Sequence, residues 1–187
     1  GGNLTGLTTF DPQEARKKLE LLKEMLPGLA CVALLGDQAL RNTKGHEEQA
    51  RALGLQPHTL KISGANPDLE AVFEAMRRES AGALLVLGQP ATAIHRRRIA
   101  EMAAKHRLPT LFSSRDTGGL IEYGTSLIEV SRRMATYVNR ILKGAKPADL
   151  PIEVVIRQEL IVNLRTAEEI GITIPPEVLK RADRVIQ

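Results

Sequence analysis

Gly82-Ala83-Leu84-Leu85-Val86-Leu87-Gly88-Gln89-Pro90 decides the fold. Five consecutive apolar residues closed by a Gly-Gln-Pro turn suit a strand buried on both faces. Helical patterns lie on either side: an apolar stripe at Leu69, Val72, Phe73 and Met76 before it, and a segment from Thr92 to His106 after it. A buried strand between two helices belongs to a parallel sheet with helices on both faces. In such sheets function gathers in the loops after the carboxyl ends of the strands. The loop 88–92 is therefore the first place to seek a ligand.

Working outward, the same unit repeats. Asp11-Pro12-Gln13-Glu14 reads as a helix start with a cap, a first-turn proline and a capping-box acid. The helix carries its stripe at Ala15, Leu19, Leu22 and Leu26 and stops at Pro27-Gly28. Residues 30–35 form a second buried strand, and a helix follows over about 44–53. Residues 58–62 alternate as a weaker strand nearer a sheet edge. Asn66-Pro67-Asp68 caps the next helix, and residues 109–112 form a short strand that runs into the polar loop 113–119. The alternation predicts an α/β fold: a three-layer, doubly wound, mostly parallel sheet of order 2-1-3-4-5.

Beyond Gly119 the pattern changes. Residues 120–123 suit a further strand, and Ser126 with Glu129 forms a capping box for a long helix to Lys143-Gly144. A proline-containing connector follows, then strands near 152–156 and 160–164. Helices at 166–170 and 175–185 close the chain. This carboxy-terminal α+β segment completes no further unit of the first sheet and is expected to pack elsewhere.

Composition narrows the function. The 187 residues suit one substantial domain, or one with part of another. Aromatic content is 3% with no Trp, too few rings for a stacking platform on nucleic acid. The net charge is +4, and the basic blocks at 96–98 and 132–133 are interspersed with acids, so they read as solvated helix faces and not as a phosphate-binding surface. Cys31 is the only cysteine, flanked by apolar residues, and fills core space. No run approaches a membrane span and no secretion signal opens the chain, whose Gly1-Gly2-Asn3 start reads as that of a processed or excised piece.

Nucleotide-binding glycine loops and the nucleophile elbow are absent. His46, His58, His95 and His106 lack metal-ligand spacing. The sequence therefore carries no catalytic or metal-site motif, and no cofactor is expected. Loops 37–42, 63–66, 88–92 and 113–116 follow predicted strands and suit a small zwitterion. Backbone N–H groups would hold a carboxylate, Asp116 or Asp37 an ammonium, and Arg115 an acid. Asp116 has the stronger claim of the two carboxylates. The candidate ligand-binding residues are Asp37, Asn42, Gln89, Pro90, Ser114, Arg115, Asp116 and Tyr123; for each the competing role is a solvated turn or, for Tyr123, strand packing.

Several stretches, in order, resemble the ABC-transporter substrate-binding proteins of the tryptophan/tyrosine-type uptake family. They include Gly2-Asn3-Leu4-Thr5-Gly6, Leu84-Leu85-Val86-Leu87-Gly88, His106-Arg107-Leu108-Pro109, Gly118-Gly119-Leu120-Ile121-Glu122-Tyr123-Gly124, Lys143-Gly144-Ala145-Lys146-Pro147-Ala148-Asp149-Leu150-Pro151 and Gly171-Ile172-Thr173-Ile174-Pro175. The resemblance implies one lobe of a type I periplasmic-binding-protein fold, with the amino-terminal lobe missing from this chain. Residues 1–10 would be the interlobe lead-in strand, 11–119 the ligand-binding lobe, and 120–187 the crossover helix and tail that pack on the missing lobe. It also implies a periplasmic or membrane-anchored extracytoplasmic protein that binds an amino acid or similar small solute and delivers it to a membrane permease. A homodimer through the 125–143 helix would cover its apolar face. The alternative is the effector-binding domain of a transcriptional regulator with the same architecture.

Overall fold

The computed structural model describes every residue except Gly1, Phe10, Arg41, Asn42, Ser114 and Ile156. The chain divides into two compact units. One comprises Gly1–Pro12 with Thr125–Glu159, the other Gln13–Gly124 with Leu160–Gln187.

The larger unit is built on a sheet ordered β3-β2-β4-β5-β6-β8-β9. Its strands are β2 (Cys31–Asp37), β3 (Gln56–Ile62), β4 (Ala83–Val86), β5 (Thr110–Phe112), β6 (Ile121–Thr125), β8 (Gln158–Asn163) and β9 (Arg184–Ile186). Counted from β2, the five strands β2 to β6 lie in the order 2-1-3-4-5, with the weak strand β3 at the edge as expected, whereas the lead-in strand β1 is not in this sheet and pairs with β7. Registered parallel pairs include Leu34 with Leu85 and Val86 with Phe112.

Both sheet faces are covered, which explains the unbroken apolar runs. Val32, Leu34, Ala83, Leu85 and Leu111 face one core, closed by α1 (Glu14–Met25), α2 (Lys44–Ala52), α7 (Leu164–Ile170) and α8 (Pro176–Arg181). Ala33, Leu35, Leu84, Val86 and Phe112 face the other, closed by α3 (Leu69–Arg78), α4 (Pro90–Ile94) and α5 (Arg96–Lys105). Burying each such Leu side chain contributes about 1.5–3 kcal/mol. The class is the three-layer α/β sandwich expected.

Four local expectations are corrected. The segment after β4 is two helices and not one, divided at His95, where Arg96 Nη1 donates to the Ala93 carbonyl at 2.9 Å. Helix α1 begins at Glu14 without a side-chain cap: its N-cap is Gln13 and not Asp11, which makes Glu14 the first helical residue and not the capping-box acid three positions on. Residues 160–187 are not outside the sheet: Asn163 N–H donates to the Leu120 carbonyl, and the tail supplies β9 and most of β8. The final helix stops at Arg181 because Asp183 joins the ladder. Its N–H donates to the Leu160 carbonyl at 2.8 Å, and its carboxylate accepts the Leu160 N–H at 2.9 Å.

The smaller unit pairs β1 (Leu7–Thr8) in parallel with β7 (Glu153–Val154). Its main element is α6 (Leu127–Leu142), capped by Ser126 Oγ, which accepts the Glu129 N–H. Tyr137 is buried and donates to the Pro151 carbonyl at 2.6 Å; Arg133 reaches Glu129 and Glu153. Within this unit several apolar side chains of α6 point outward. Leu127, Met134, Val138, Ile141 and Leu142 are all exposed, the last by 81%.

Candidate functional site

The carboxyl ends of β2 and β4 are tied together by a reciprocal arrangement. Asp37 N–H donates to Gln89 Oε1 at 2.6 Å. Asp37 Oδ2 accepts the Ala91 N–H at 3.0 Å, and Oδ1 accepts the Ala39 N–H at 2.9 Å. Gln89 caps α4, with Pro90 in the first turn, where its fixed φ and missing donor cost nothing. Thr92 Oγ1 returns to accept the Gln89 N–H at 3.1 Å and donates to the Leu87 carbonyl. A Cβ at Gly36 would lie 2.9 Å from Gln89 Oε1, so glycine is what allows this approach.

Beside this turn, Ser113 follows β5. It is half-buried, and the ends of two neighbouring strands close on it. A Cβ at Gly88 would lie 3.2 Å from Ser113 Cβ, and one at Gly124 would lie 2.9 Å from the Ser113 carbonyl oxygen. From the α1 face, Lys18 Nζ donates to Ser113 Oγ at 2.7 Å and also to Glu14. Lys18 is only 2% exposed. A buried ammonium requires such compensation, and a carboxylate plus a hydroxyl provide it. His46, in the first turn of α2, feels the same cluster. Burial, then the Lys18 charge, holds its pKa below the ordinary histidine value, with Glu14 opposing.

The third component is the loop after Ser113. Glu122, buried on β6, gathers it: Oε1 accepts the Thr117 N–H and Thr117 Oγ1, both at 2.7 Å, and Oε2 accepts the Asp116 N–H at 3.1 Å. Asp116 sits in the left-handed region at φ 54° with its side chain exposed. A carboxylate that accepts three hydrogen bonds at one turn fixes that turn.

The expected residues thus divide by role. Asp37, Gln89 and Pro90 come together, but the Asp37 carboxylate is committed to backbone N–H groups on both oxygens. Arg115 and Asp116 lie on the Glu122-held loop. Tyr123 is half-buried and packs against the core on the α1 face. Asn42 and Ser114 lie outside the described residues. Lys18, Glu14, Ser113 and Glu122 were not singled out from sequence. Lys18 had a legible sign: the spacing Ala15, Lys18, Leu22, Met25 sets a lysine within the apolar face of its helix. Among the described residues no cluster of three or more His, Cys, Asp or Glu is arranged to hold a metal. None of the described helices is long and apolar enough to cross a membrane.

Comparison with known proteins agrees with this arrangement of loops over a parallel sheet. A conserved domain protein from Vibrio cholerae matches with TM-score 0.83 and 25% identity, covering 99% of this chain and 64% of that one. An ABC domain from Streptococcus pneumonia, solved in complex with L-Trp, matches with TM-score 0.82 and 25% identity over 100% of this chain and 66% of that one. The ligand-free, open substrate binding protein with adhesive properties from Clostridium difficile shares the fold at 18% identity and TM-score 0.72, over 98% of this chain and 62% of that one. The chain therefore spans slightly under two thirds of these relatives' lengths. No curated protein matches it significantly. The family model described as ABC transporter substrate binding protein matches residues 1–186, nearly every residue that the sheet, its helices and the smaller unit are built from, and the chain belongs to that family.

Proposed function

We propose that the chain is the solute-binding component of an ABC uptake transporter. It holds an amino acid or a similar small organic solute at the carboxyl edge of the larger unit's sheet and delivers it to a membrane permease. The family match along residues 1–186 carries this reading. The solved L-Trp complex of a 25% identical relative supports an amino acid as the solute. At the edge itself, Ser113, Arg115, Asp116 and Tyr123 offer polar groups for a zwitterion, while Asp37, Gln89 and Glu122 hold the loops that present them. Asn42 and Ser114 belong to the same proposed set. Binding without turnover and without a metal is the expected chemistry, and the place of action is extracytoplasmic.

The relatives' greater length supports a second lobe that closes over this edge. The apolar face of α6 is then the surface that such a lobe covers. In a preparation of this chain alone, a second copy covers it and gives a homodimer.

A thermal-shift screen of amino acids and small carboxylates tests the reading. Selective stabilisation by one amino-acid class is the expected result. Stabilisation by sugars alone, or by nothing, would set the amino-acid reading aside.

A further inference from the structure

Ser113 stands where the ends of β4, β5 and β6 converge, and its hydrogen bonding is dictated from below. The Lys18 ammonium has three donors and no lone pair, so in their 2.7 Å contact Ser113 Oγ can only accept. A serine hydroxyl has one proton to give, and among the described residues no acceptor receives it. Lys18 itself is 2% exposed and is paired with Glu14, so it stays beneath the serine and out of a solute's reach. The ammonium also polarises the hydroxyl, which makes it a stronger donor. The cluster thus turns an ambivalent side chain into a donor of fixed sense, half-buried, on the loop that follows the central strands.

We propose that Ser113, held by Lys18 as an obligate hydrogen-bond donor, is a specificity-determining contact for the carboxylate of the bound solute. The proposal rests on the solute-binding reading above and deepens it: solutes with a free carboxylate bind, and their neutral amides bind less well. Lys18 is a positioning residue, acting through Ser113.

The test is a nuclear magnetic resonance titration of the whole 187-residue chain with L-tryptophan and, separately, L-tryptophanamide. Wild type is expected to prefer the acid by about tenfold, the scale of one hydrogen bond to a charged group. Ser113→Ala is expected to lose that preference, Lys18→Met to reduce it, and the double variant to lose no more than Ser113→Ala. A change in overall stability alone would weaken both probes equally, so the ratio isolates the contact. If Lys18→Met does not fold, Ser113→Ala decides the matter. Wild-type binding with the preference intact in Ser113→Ala overturns this proposal and leaves the function standing. Failure of wild type to bind either probe overturns the amino-acid reading and this proposal with it.

Discussion

Asp37 and Gln89 complete each other across the ends of β2 and β4. The Asp37 N–H donates to Gln89 Oε1 at 2.6 Å, and the Asp37 carboxylate accepts the N–H of Ala91, two residues beyond Gln89, at 3.0 Å. Two polar residues expected at a ligand are thereby committed to the shape of the loops that surround it. Asp37→Ala would leave the Ala91 and Ala39 N–H groups without their acceptors, at about 1–3 kcal/mol each. Denaturant unfolding should show a loss of about 2–4 kcal/mol on that basis, and Asp37→Asn, which keeps one acceptor, a smaller one. Loss of solute binding with unchanged stability would instead make Asp37 a direct ligand contact.

Glu122 plays the equivalent part for the 115–117 loop. Removing its carboxylate in Glu122→Ala frees three donors, two of them on buried Thr117. Hydrogen exchange at the Thr117 amide should accelerate by at least tenfold, with a stability loss of about 2–4 kcal/mol. Unchanged protection at Thr117 would show that the loop is held by other contacts.

His46 makes stability depend on pH in a definite sense. Its folded-state pKa lies below the ordinary 6.5 because burial and Lys18 disfavour the imidazolium. The unfolded chain therefore takes up this proton first as pH falls. The contribution of neutral His46 is full above about pH 6.5 and is lost as the pH drops through and below that value. The difference in stability between wild type and His46→Gln should thus shift against wild type between about pH 7 and pH 5. A difference constant across that range would contradict the placement of His46 beside Lys18.

The exposed stripe of α6 invites association. Val138→Lys combined with Leu142→Lys adds charge to side chains that are 50% and 81% exposed, so folding should be unaffected. Sedimentation should show the wild-type chain self-associating and the variant shifted toward monomer, with the same circular dichroism. A wild-type chain that stays monomeric at high concentration would count against the homodimer.

Much of the sheet was legible because burial on both faces leaves a simple mark: the runs at 31–37 and 83–87 contain almost nothing polar. Strand order followed from short right-handed crossovers. The tail was not legible, because β9 is three residues long and its pairing depends on Asp183 meeting Leu160, a contact 23 positions apart in the chain. The break at His95 was hidden for a similar reason. No glycine or proline marks it, and the Arg96 contact with the Ala93 carbonyl leaves no pattern in the sequence. At the site, the loops could be located from the strands that precede them. What each side chain does there could not, because Lys18 meets Ser113 across 95 positions and no local pattern records that.

The most direct test of solute binding is an amide-resonance titration of the chain with the twenty amino acids, a method that detects even weak affinity. The expected result is saturable perturbation by a restricted set of amino acids, centred on Gly88, Gln89, Ser113 and Asp116. Spectra that no amino acid alters at those amides, or changes confined to the α6 face, would contradict a solute site at the carboxyl edge of this sheet.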